Sequence, residues 1–233
     1  MKHNWTLNEV ASAGRENLDP RHAAEYDRKE DADAEAEIEV LRQLGLFESS
    51  QVVDLGAGTG QFTLAAAPVS ARVVAVDVSP VMLTFLRNKV REAGLENVDI
   101  VQSGFLTYEH QRNPTDFLYS RFALHHLPDF WKSIALQRLR RVTRRGGIFR
   151  LWDVVYNFPL EDAESQLEAW CATLPYGESQ GGWTRADIEE HIRDEHSTFT
   201  WLLEPMMERC GFRIEEAEYS PDGIFARYVA RAV

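Results

Sequence analysis

From residue 51 onward, short runs of β-branched and apolar residues alternate with stretches of helical pattern. The runs QVVDL, RVVAVDV, VDIVQ, DFLYS and GGIFRLWDVV are nearly continuously apolar, as strands covered on both faces must be. Helical stretches are predicted to begin at Gln61, Pro80, Asp129 and Glu161. Alternation of this kind is typical of βαβ units, because parallel neighbours need a crossover. The sequence therefore predicts an α/β fold, a three-layer sandwich around a mostly parallel sheet of seven strands.

The end of the chain departs from this alternation. A helical stretch, STFTWLLEPMMERC, is predicted to stop at Gly211, and the strand-like runs RIEEAEY and IFARYVARA follow it. Only four residues, 220–223, of sequence SPDG join the two runs, which is too short for a parallel crossover. The sheet is therefore predicted to end in an antiparallel hairpin.

Two segments lie outside the repeating pattern. Residues 1–19 are polar and without periodicity, which predicts a flexible N-terminal arm, and residues 20–233 are predicted to form one domain. Asp19 and Pro20 fit the cap and first position of a helix that we expect to break near Tyr26 and Asp27. Residues 159–197 contain aromatic and turn residues and are interpreted as a lid-like insertion over the carboxyl edge of the sheet. The alternative is an ordinary surface insertion of two helices.

Composition excludes several classes of protein. The chain has 233 residues and a formal charge of −12, which opposes the attraction to phosphates that nucleic-acid binding needs. The two cysteines, Cys171 and Cys210, form no CxxC pair and lie near no histidine cluster, so no metal site and no disulfide framework is predicted. No run approaches the length of a membrane span or of a secretory leader. We expect a cytoplasmic protein that binds neither membrane nor nucleic acid.

A glycine-rich turn, DLGAGTG, lies between the first strand and the first helix of the alternating region. Gly56, Gly58 and Gly60 allow a sharp turn and a close approach of backbone to a ligand, which is typical of a nucleotide-like cofactor site. The spacing is GxGxG, and Gln61 stands where a dinucleotide fingerprint has glycine. The second strand ends in Asp77, whose carboxylate can accept hydrogen bonds from both hydroxyls of a ribose. The alternative for Asp77 is a helix cap, a role that Ser79 fits better.

Four motifs follow one another along the chain, namely VVDLGAGTGQ, VVAVDVSPVML, DFLYSRFALHHLPD and LRRVTRRGGIFRL. Together they resemble the class I S-adenosylmethionine-dependent methyltransferases, in particular the small-molecule branch that includes ubiquinone-biosynthesis-like enzymes. The resemblance covers about residues 20–155 by motif and implies a Rossmann-like fold with S-adenosyl-L-methionine as the cofactor. It also implies a set of cofactor-binding residues, which are Tyr26, Asp54, Gly56, Ala57, Gly58, Gly60, Asp77, Val78, Met82, Gly104, Phe105, Ser120 and Arg121.

Two positions depart from the family pattern. Gly104 stands where the family often has an acidic residue for the adenine amino group, so we expect Phe105 to stack on the adenine or backbone groups to bind its edge. The turn after the fourth strand reads YSRF rather than DPPY or NPPY, so methylation of an exocyclic nucleobase amine is not expected.

His125 and His126 are the predicted catalytic residues. They follow the fourth strand, where the small-molecule branch often has a histidine that faces the acceptor, and an imidazole there can remove a proton from the acceptor. The alternative is that both hold their loop by hydrogen bonds. Asp129 is interpreted as a helix cap, and Glu195, His196 and Trp201 either reach the acceptor or begin a helix capped by Ser197.

The predicted function is methyl transfer to an oxygen, nitrogen or carbon atom of a small molecule by in-line displacement. Two alternatives remain open at this point. A nicotinamide-dependent oxidoreductase would use the same turn and acidic residue, although Gln61 and the segment HHLPD argue against it. A partner subunit that binds the cofactor without catalysing transfer is the second alternative, and Gly104 gives it some support.

Overall fold

The computed structural model describes residues 5–14, 16–30, 32–174 and 182–233. Residues 1–4 of the predicted arm and residues 175–181 of the predicted lid lie outside the described residues. The predicted strands and helices of the alternating region all form, in the predicted order. The strands are β1 (Gln51–Leu55), β2 (Arg72–Asp77), β3 (Val98–Gln102), β4 (Thr115–Arg121), β5 (Thr143–Tyr156), β6 (Thr198–Phe199), β7 (Phe212–Tyr219) and β8 (Phe225–Ala232). The helices are α1 (Pro20–Lys29), α2 (Ala34–Gln43), α3 (Gln61–Ala66), α4 (Pro80–Glu92), α5 (Asp129–Val142), α6 (Ala163–Ala172), α7 (Arg185–Asp194) and α8 (Thr200–Arg209).

One sheet organises the molecule. Its strand order is β3-β2-β1-β4-β5-β8-β7, and the two-residue β6 pairs with the end of β5. β1 to β5 are parallel, whereas β8 runs antiparallel to both β5 and β7. The order reverses at β1 and β4, so the carboxyl ends of these neighbouring strands open a crevice between the loops that follow them. The prediction of a mostly parallel, Rossmann-like sheet with an antiparallel C-terminal hairpin is confirmed.

Both faces of the sheet are covered, which explains the continuously apolar strands. Alternate residues of β1 pack into different clusters, with Val53 among the residues under α5 and α8 and Val52 among those under α2 and α3. A third cluster joins Ala75 of β2 to Leu83 and Leu86 of α4. The core therefore holds the strand ends, and with them the loops at the crevice, in fixed positions.

The helical segment before the sheet is broken later than predicted. Asp19 caps α1 through a hydrogen bond from the Arg21 backbone N–H, as expected. The helix then continues through Tyr26 and Asp27 to Lys29, and α2 begins only at Ala34. The expectation of a break near Tyr26 was wrong because both residues make tertiary contacts from within an intact helix.

Two predicted caps are absent. Asp129 is the first residue of α5 and not its cap, since Pro128 precedes the helix and the Asp129 carboxylate instead binds Lys132 and Thr198. Ser197 does not cap α8, because residues 198–199 form β6 and the helix begins at Thr200. Within the described part of the chain, no helix combines the length and the apolar character that crossing a membrane requires.

Candidate active site

The glycine turn between β1 and α3 cannot carry larger side chains at its ends. Gly56 has φ +75°, and a Cβ there would lie 2.3 Å from the Ala123 Cβ. Gly60 has φ +91°, and its Cβ would lie 2.1 Å from Leu86 Cδ1. Positive φ values and such close approaches both require glycine. The turn therefore presents bare backbone to the crevice, as the spacing predicted.

Asp77 ends β2 beside this turn. Its Oδ2 accepts a hydrogen bond from the Gly58 backbone N–H at 2.8 Å, and its Oδ1 accepts one from the Ser79 backbone N–H at 2.8 Å. Burial raises the pKa of Asp77, and these backbone donors oppose the shift. A carboxylate can accept about four hydrogen bonds, so Asp77 retains acceptor capacity, and it lines the cavity beside the turn. Ser79 caps α4 by accepting from Met82, which confirms its predicted role.

A small cavity lies over the turn and next to Asp77. Nine of the predicted cofactor-binding residues line it, namely Tyr26, Gly56, Gly58, Asp77, Val78, Met82, Gly104, Phe105 and Arg121. The other four are not among its lining residues. Asp54 is buried beneath the turn and accepts a 2.6 Å hydrogen bond from the Thr63 hydroxyl, and Ser120 is buried within β4. Ala57 packs against the cluster of Ala75, Leu83 and Leu86, and Gly60 faces Leu86, so a direct contact with a cofactor stays a prediction for these four residues.

Glu9 also lines the small cavity, and sequence analysis missed it. This residue of the N-terminal segment is only 7% exposed, and its carboxylate accepts hydrogen bonds from the Leu106 backbone N–H at 2.9 Å and the Thr107 hydroxyl at 3.1 Å. A Cβ on Gly104 would lie 2.4 Å from Glu9 Oε1. The glycine that departs from the family pattern thus makes room for a carboxylate from another part of the chain.

The helix α1 is fastened to the glycine turn. The Asp27 carboxylate accepts hydrogen bonds from the Thr59 hydroxyl and pairs with Lys89. Gln61 donates to the Glu30 carbonyl at 2.6 Å and accepts from the Ala32 backbone N–H at 2.9 Å. Tyr26 is thereby held over the turn, with its ring 3.8 Å from the position of a Cβ on Gly58.

A second, larger cavity of about 760 Å³ adjoins the first. Its apolar lining includes Phe122, Trp170, Trp183 and Phe225, and its polar lining includes the side chains of His22, Glu30, His125, His126, Asp187, His191 and Glu195. Four residues, Asn17, Tyr26, Phe122 and His126, line both cavities. The two cavities therefore meet at the residues that follow β4 and at α1. His196 and Trp201, which were predicted as candidates for the acceptor pocket, do not line it, and Trp201 is 57% exposed.

Glu30 joins three parts of the chain at the mouth of the larger cavity. Its Oε2 lies 3.1 Å from Arg121 Nη2, and its Oε1 accepts a 2.5 Å hydrogen bond from the Trp183 indole N–H. The Arg121 guanidinium in turn lies over the rings of Phe122 and Trp152, at 4.3 and 4.5 Å from their centroids. One carboxylate thus connects the helical segment, the end of β4 and the segment before α7.

The two predicted catalytic histidines lie in different electrostatic surroundings. His125 is buried, which disfavours its charged form, but the Asp153 and Glu195 carboxylates outweigh burial and raise its pKa to about 10. Burial lowers the pKa of His126 to about 3, and the neighbouring His125 adds to the effect. The Glu195 pKa is lowered despite burial, because His125 and His191 lie beside its carboxylate.

Residues 52–147, which carry the glycine turn, Asp77 and the segment after β4, match the protein family described as a methyltransferase domain. This match covers less than half of the chain and agrees with the family that the sequence motifs resemble.

Similar proteins extend this match. The chain is 28% identical over 113 residues to a demethylmenaquinone methyltransferase of Geobacillus stearothermophilus, covering 47% of each protein. It is 34% identical over 128 residues to a trans-aconitate 2-methyltransferase of Variovorax paradoxus, covering 54% of this chain and 47% of that protein. The chain spans about half the length of these curated relatives. Among solved structures, magnesium protoporphyrin IX methyltransferase of Synechocystis with bound S-adenosylmethionine aligns with a TM-score of 0.66 at 13% identity, over 99% of this chain and 100% of that one.

Proposed function

We propose that this protein transfers a methyl group from S-adenosylmethionine to a small molecule held in the larger cavity. The observation that carries the proposal is the meeting of the two cavities at Asn17, Tyr26, Phe122 and His126. A donor over the glycine turn and an acceptor in the larger cavity would face each other across these residues. Methyl transfer needs little more than such placement, since alignment of two reactants supplies much of the rate.

The residues that line the small cavity match the groups of S-adenosylmethionine, and since the cavity has a volume of only about 70 Å³, the cofactor must extend beyond it towards the larger cavity. Gly56 and Gly58 let the cofactor approach backbone, Asp77 offers lone pairs to ribose hydroxyls, and Met82 and Phe105 supply apolar surface. When bound, this cofactor supplies a methyl group already activated by its positively charged sulfur. Tyr26 covers the turn and Phe122 closes the boundary between the cavities, so both residues orient the reactants and exclude water. The catalytic roles predicted for His125 and His126 stay predictions.

The larger cavity indicates the shape of the acceptor. Its volume of about 760 Å³ lies within the range of sites for small molecules. Trp170, Trp183, Phe122 and Phe225 offer flat apolar surfaces, and His125, His126, His191 and Glu195 form a polar cluster. We therefore propose an acceptor with a planar or apolar body and a polar group near the boundary of the cavities. A cytoplasmic location, expected from the sequence, stays a prediction.

Calorimetric titration of the purified protein with S-adenosylmethionine tests the donor site. Asp77→Asn removes the charge that strengthens the ribose hydrogen bonds, so we expect the Kd to rise about 10-fold or more. Asp99→Asn is the matched control, because Asp99 lies on the neighbouring β3, lines neither cavity and pairs with Arg72. Equal melting temperatures of apo wild type and Asp77→Asn would show that the turn is intact.

The outcomes separate the hypotheses. Binding of S-adenosylmethionine that depends on Asp77, followed by transfer of a labelled methyl group to members of a small-molecule panel, supports the proposal. Absence of binding by the wild-type protein would overturn it, and preferential binding of a nicotinamide cofactor would favour an oxidoreductase instead. Mass spectrometry of small molecules retained through purification is expected to show the donor or its demethylated product.

A further inference from the structure

Four side chains converge on one wall of the larger cavity. His125 and His126 come from the loop after β4, His191 lies in the last turn of α7, and Glu195 follows that helix directly. Glu195 Oε2 lies 3.0 Å from His125 Nε2 and also contacts His191 Nδ1, and Glu195 Oε1 lies 3.7 Å from His126 Nδ1. The nitrogen and oxygen atoms offered by His125, His126 and Glu195 all lie within 4.8 Å of one another.

Two polar atoms in this cluster are buried without a hydrogen bond. These are His126 Nδ1 and Glu195 Oε2, the latter despite its closeness to two imidazole nitrogens. Buried polar atoms are nearly always satisfied, so two unsatisfied atoms in one cluster indicate a missing ion or water. Three imidazoles converge on one carboxylate, an arrangement that suits a shared cation.

Side chains behind the cluster orient two of the imidazoles. The Asp153 carboxylate contacts His125 Nδ1 and also accepts from the His125 backbone N–H at 3.1 Å. The Ser197 hydroxyl lies 2.9 Å from His191 Nε2. In each ring one nitrogen is thus engaged from behind, and the other points at Glu195. Metal-binding histidines are held in this way, with the second nitrogen bonded to a carboxylate or another polar group.

We propose that His125, His126, His191 and Glu195 bind a divalent first-row transition metal ion. Three imidazole nitrogens and one carboxylate suit ions such as Zn²⁺ or Fe²⁺, whereas Mg²⁺ and Ca²⁺ prefer oxygen ligands. The Glu195 and Asp153 carboxylates favour a positive charge at this wall, which a bound cation would supply in place of a proton on His125. The sequence predicted no metal site, since its cysteines form no pair near a histidine cluster and the four ligands come from two segments 65 residues apart.

The position of the ion indicates which chemical class of acceptor the larger cavity binds. This inference rests on the proposed function. All four ligands line the larger cavity, and His126 also lines the small one. A cation there would face the acceptor close to the boundary between the cavities. Such an ion attracts anionic oxygen and lowers the pKa of a bound hydroxyl. The favoured acceptor therefore carries a carboxylate, an enolisable carbonyl or an acidic hydroxyl beside its planar or apolar body.

Metal titration of the full chain tests the site directly. Protein treated with a chelator and dialysed is titrated with Zn²⁺ by calorimetry, and Co²⁺ is used as a spectroscopic probe of the ligands. We expect binding of about one ion per chain and visible Co²⁺ absorption of the intensity that four- or five-coordinate sites give. Glu195→Gln and His126→Asn are each expected to weaken Zn²⁺ binding by at least about 10-fold and to remove the Co²⁺ absorption.

His196→Asn is the matched control, since His196 adjoins Glu195 but its side chain is exposed and lines neither cavity. Circular dichroism and melting of the metal-free variants check that each one folds. The proposal is overturned if the wild-type protein binds none of Zn²⁺, Co²⁺ or Fe²⁺ under anaerobic conditions, or if Glu195→Gln and His126→Asn bind Zn²⁺ as tightly as His196→Asn does. Titration with S-adenosylmethionine in the same variants separates this result from the proposed function. If the wild-type protein binds Zn²⁺ but not S-adenosylmethionine, only the proposed function is refuted. If it binds S-adenosylmethionine but not the metal ions, only the metal site is refuted.

Discussion

Gln61 shows how one side chain can explain a departure from a sequence pattern. A dinucleotide-binding turn has glycine at this position so that a helix can pack closely on its strand. Here the Gln61 amide instead binds the Glu30 carbonyl and the Ala32 N–H, which lie in the break between α1 and α2. The residue is therefore part of the attachment that holds Tyr26 over the site. The sequence showed that Gln61 was unusual, but the partner residues lie about 30 positions earlier and no local pattern indicates them.

Asp54 leads to a prediction about stability and pH. Burial is the main cause that raises its pKa from 3.8 to about 7, the Thr63 hydroxyl opposes the shift, and Asp77 adds to it. Because the folded pKa exceeds the unfolded one, stability is lost as the pH rises from about 3.8 through about 7. The full penalty above that range is on the order of 4 kcal/mol. Asp54→Asn keeps an acceptor for Thr63 and removes the charge.

We therefore expect Asp54→Asn to raise the free energy of unfolding above the wild-type value at a pH above about 7, by at least about 1 kcal/mol. The difference should shrink as the pH falls towards 5. Urea denaturation across this range measures it, with Asp194→Asn, at an exposed carboxylate, as the control. A constant difference between the two variants at every pH would contradict the assignment to Asp54.

At the scale of elements, the N-terminal segment supplies a wall of the cofactor cavity. The Glu9 carboxylate occupies the space into which a side chain at position 104 would extend, and both residues line the small cavity. We therefore expect Glu9 to take the role of the acidic residue that the family often has at position 104. Glu9→Gln should weaken S-adenosylmethionine binding about 10-fold, because it removes the charge from a hydrogen-bond acceptor. Calorimetric titration measures the change.

The space at Gly104 allows a stricter test. Gly104→Asp alone should be destabilising, since its Cβ would lie 2.4 Å from the Glu9 carboxylate. The double variant Glu9→Ala with Gly104→Asp should recover both stability and affinity, because the carboxylate then comes from the other side. If the double variant binds no better than Glu9→Ala alone, Glu9 does not serve the adenine.

The contact between α2 and β5 depends on a buried ion pair. The Arg150 guanidinium makes two hydrogen bonds to the Glu37 carboxylate, at 2.8 and 2.9 Å, and both residues are buried. Removing one partner leaves an uncompensated charge, so Glu37→Gln should lower the free energy of unfolding by about 3–5 kcal/mol. Glu25→Gln, in the exposed pair with Arg28, should change it by less than about 1 kcal/mol. Similar values for the two variants in urea denaturation would refute the importance of this contact.

The elements of the sheet were predictable because burial on both faces leaves a strong pattern. β1 and β3 have the predicted bounds, and the turn at 220–223 gave the hairpin through its length alone. β6 was missed, since two residues carry no periodicity. The break between α1 and α2 was misplaced because Tyr26 and Asp27 look unlike the interior of a helix, although tertiary contacts hold them there.

At the scale of the whole molecule, donor binding should order distant segments together. Asn17 and Tyr26 line the small cavity, and Glu30 links the same segment to Arg121 and Trp183. We expect S-adenosylmethionine to slow amide hydrogen exchange in residues 16–30 and 182–195, because ligand binding lowers the population of locally opened states. The hairpin of β7 and β8 should serve as an internal reference. Slowing confined to residues 56–82 would contradict the link through Glu30.

Part of the candidate site was predictable from the sequence. The predictable residues lie near strand ends, and the others come from distant segments. Most of the residues predicted to bind the donor lie at the ends of β1 to β4 or shortly after them, so the ends of the predicted strands indicated them, whereas Tyr26 lies in α1. Glu9, Asn17, Glu30 and His191 were not found, because tertiary folding brings them to the crevice from elements far apart in sequence. One local signal was present. His191 and Glu195 are four residues apart, a spacing that places two ligands on one face of a helix.

The uneven origin of the cavity walls has an evolutionary consequence. Of the nineteen described residues that line the larger cavity, only Phe122, His125 and His126 fall within residues 52–147, the part that matches the methyltransferase family. The remaining walls come from the helical segment before that part and from the segments after it. Mutations in residues 154–225 can change which acceptor the larger cavity holds while the glycine turn keeps its sequence. Proteins that descend from one ancestor can therefore come to use different substrates and keep the same reaction.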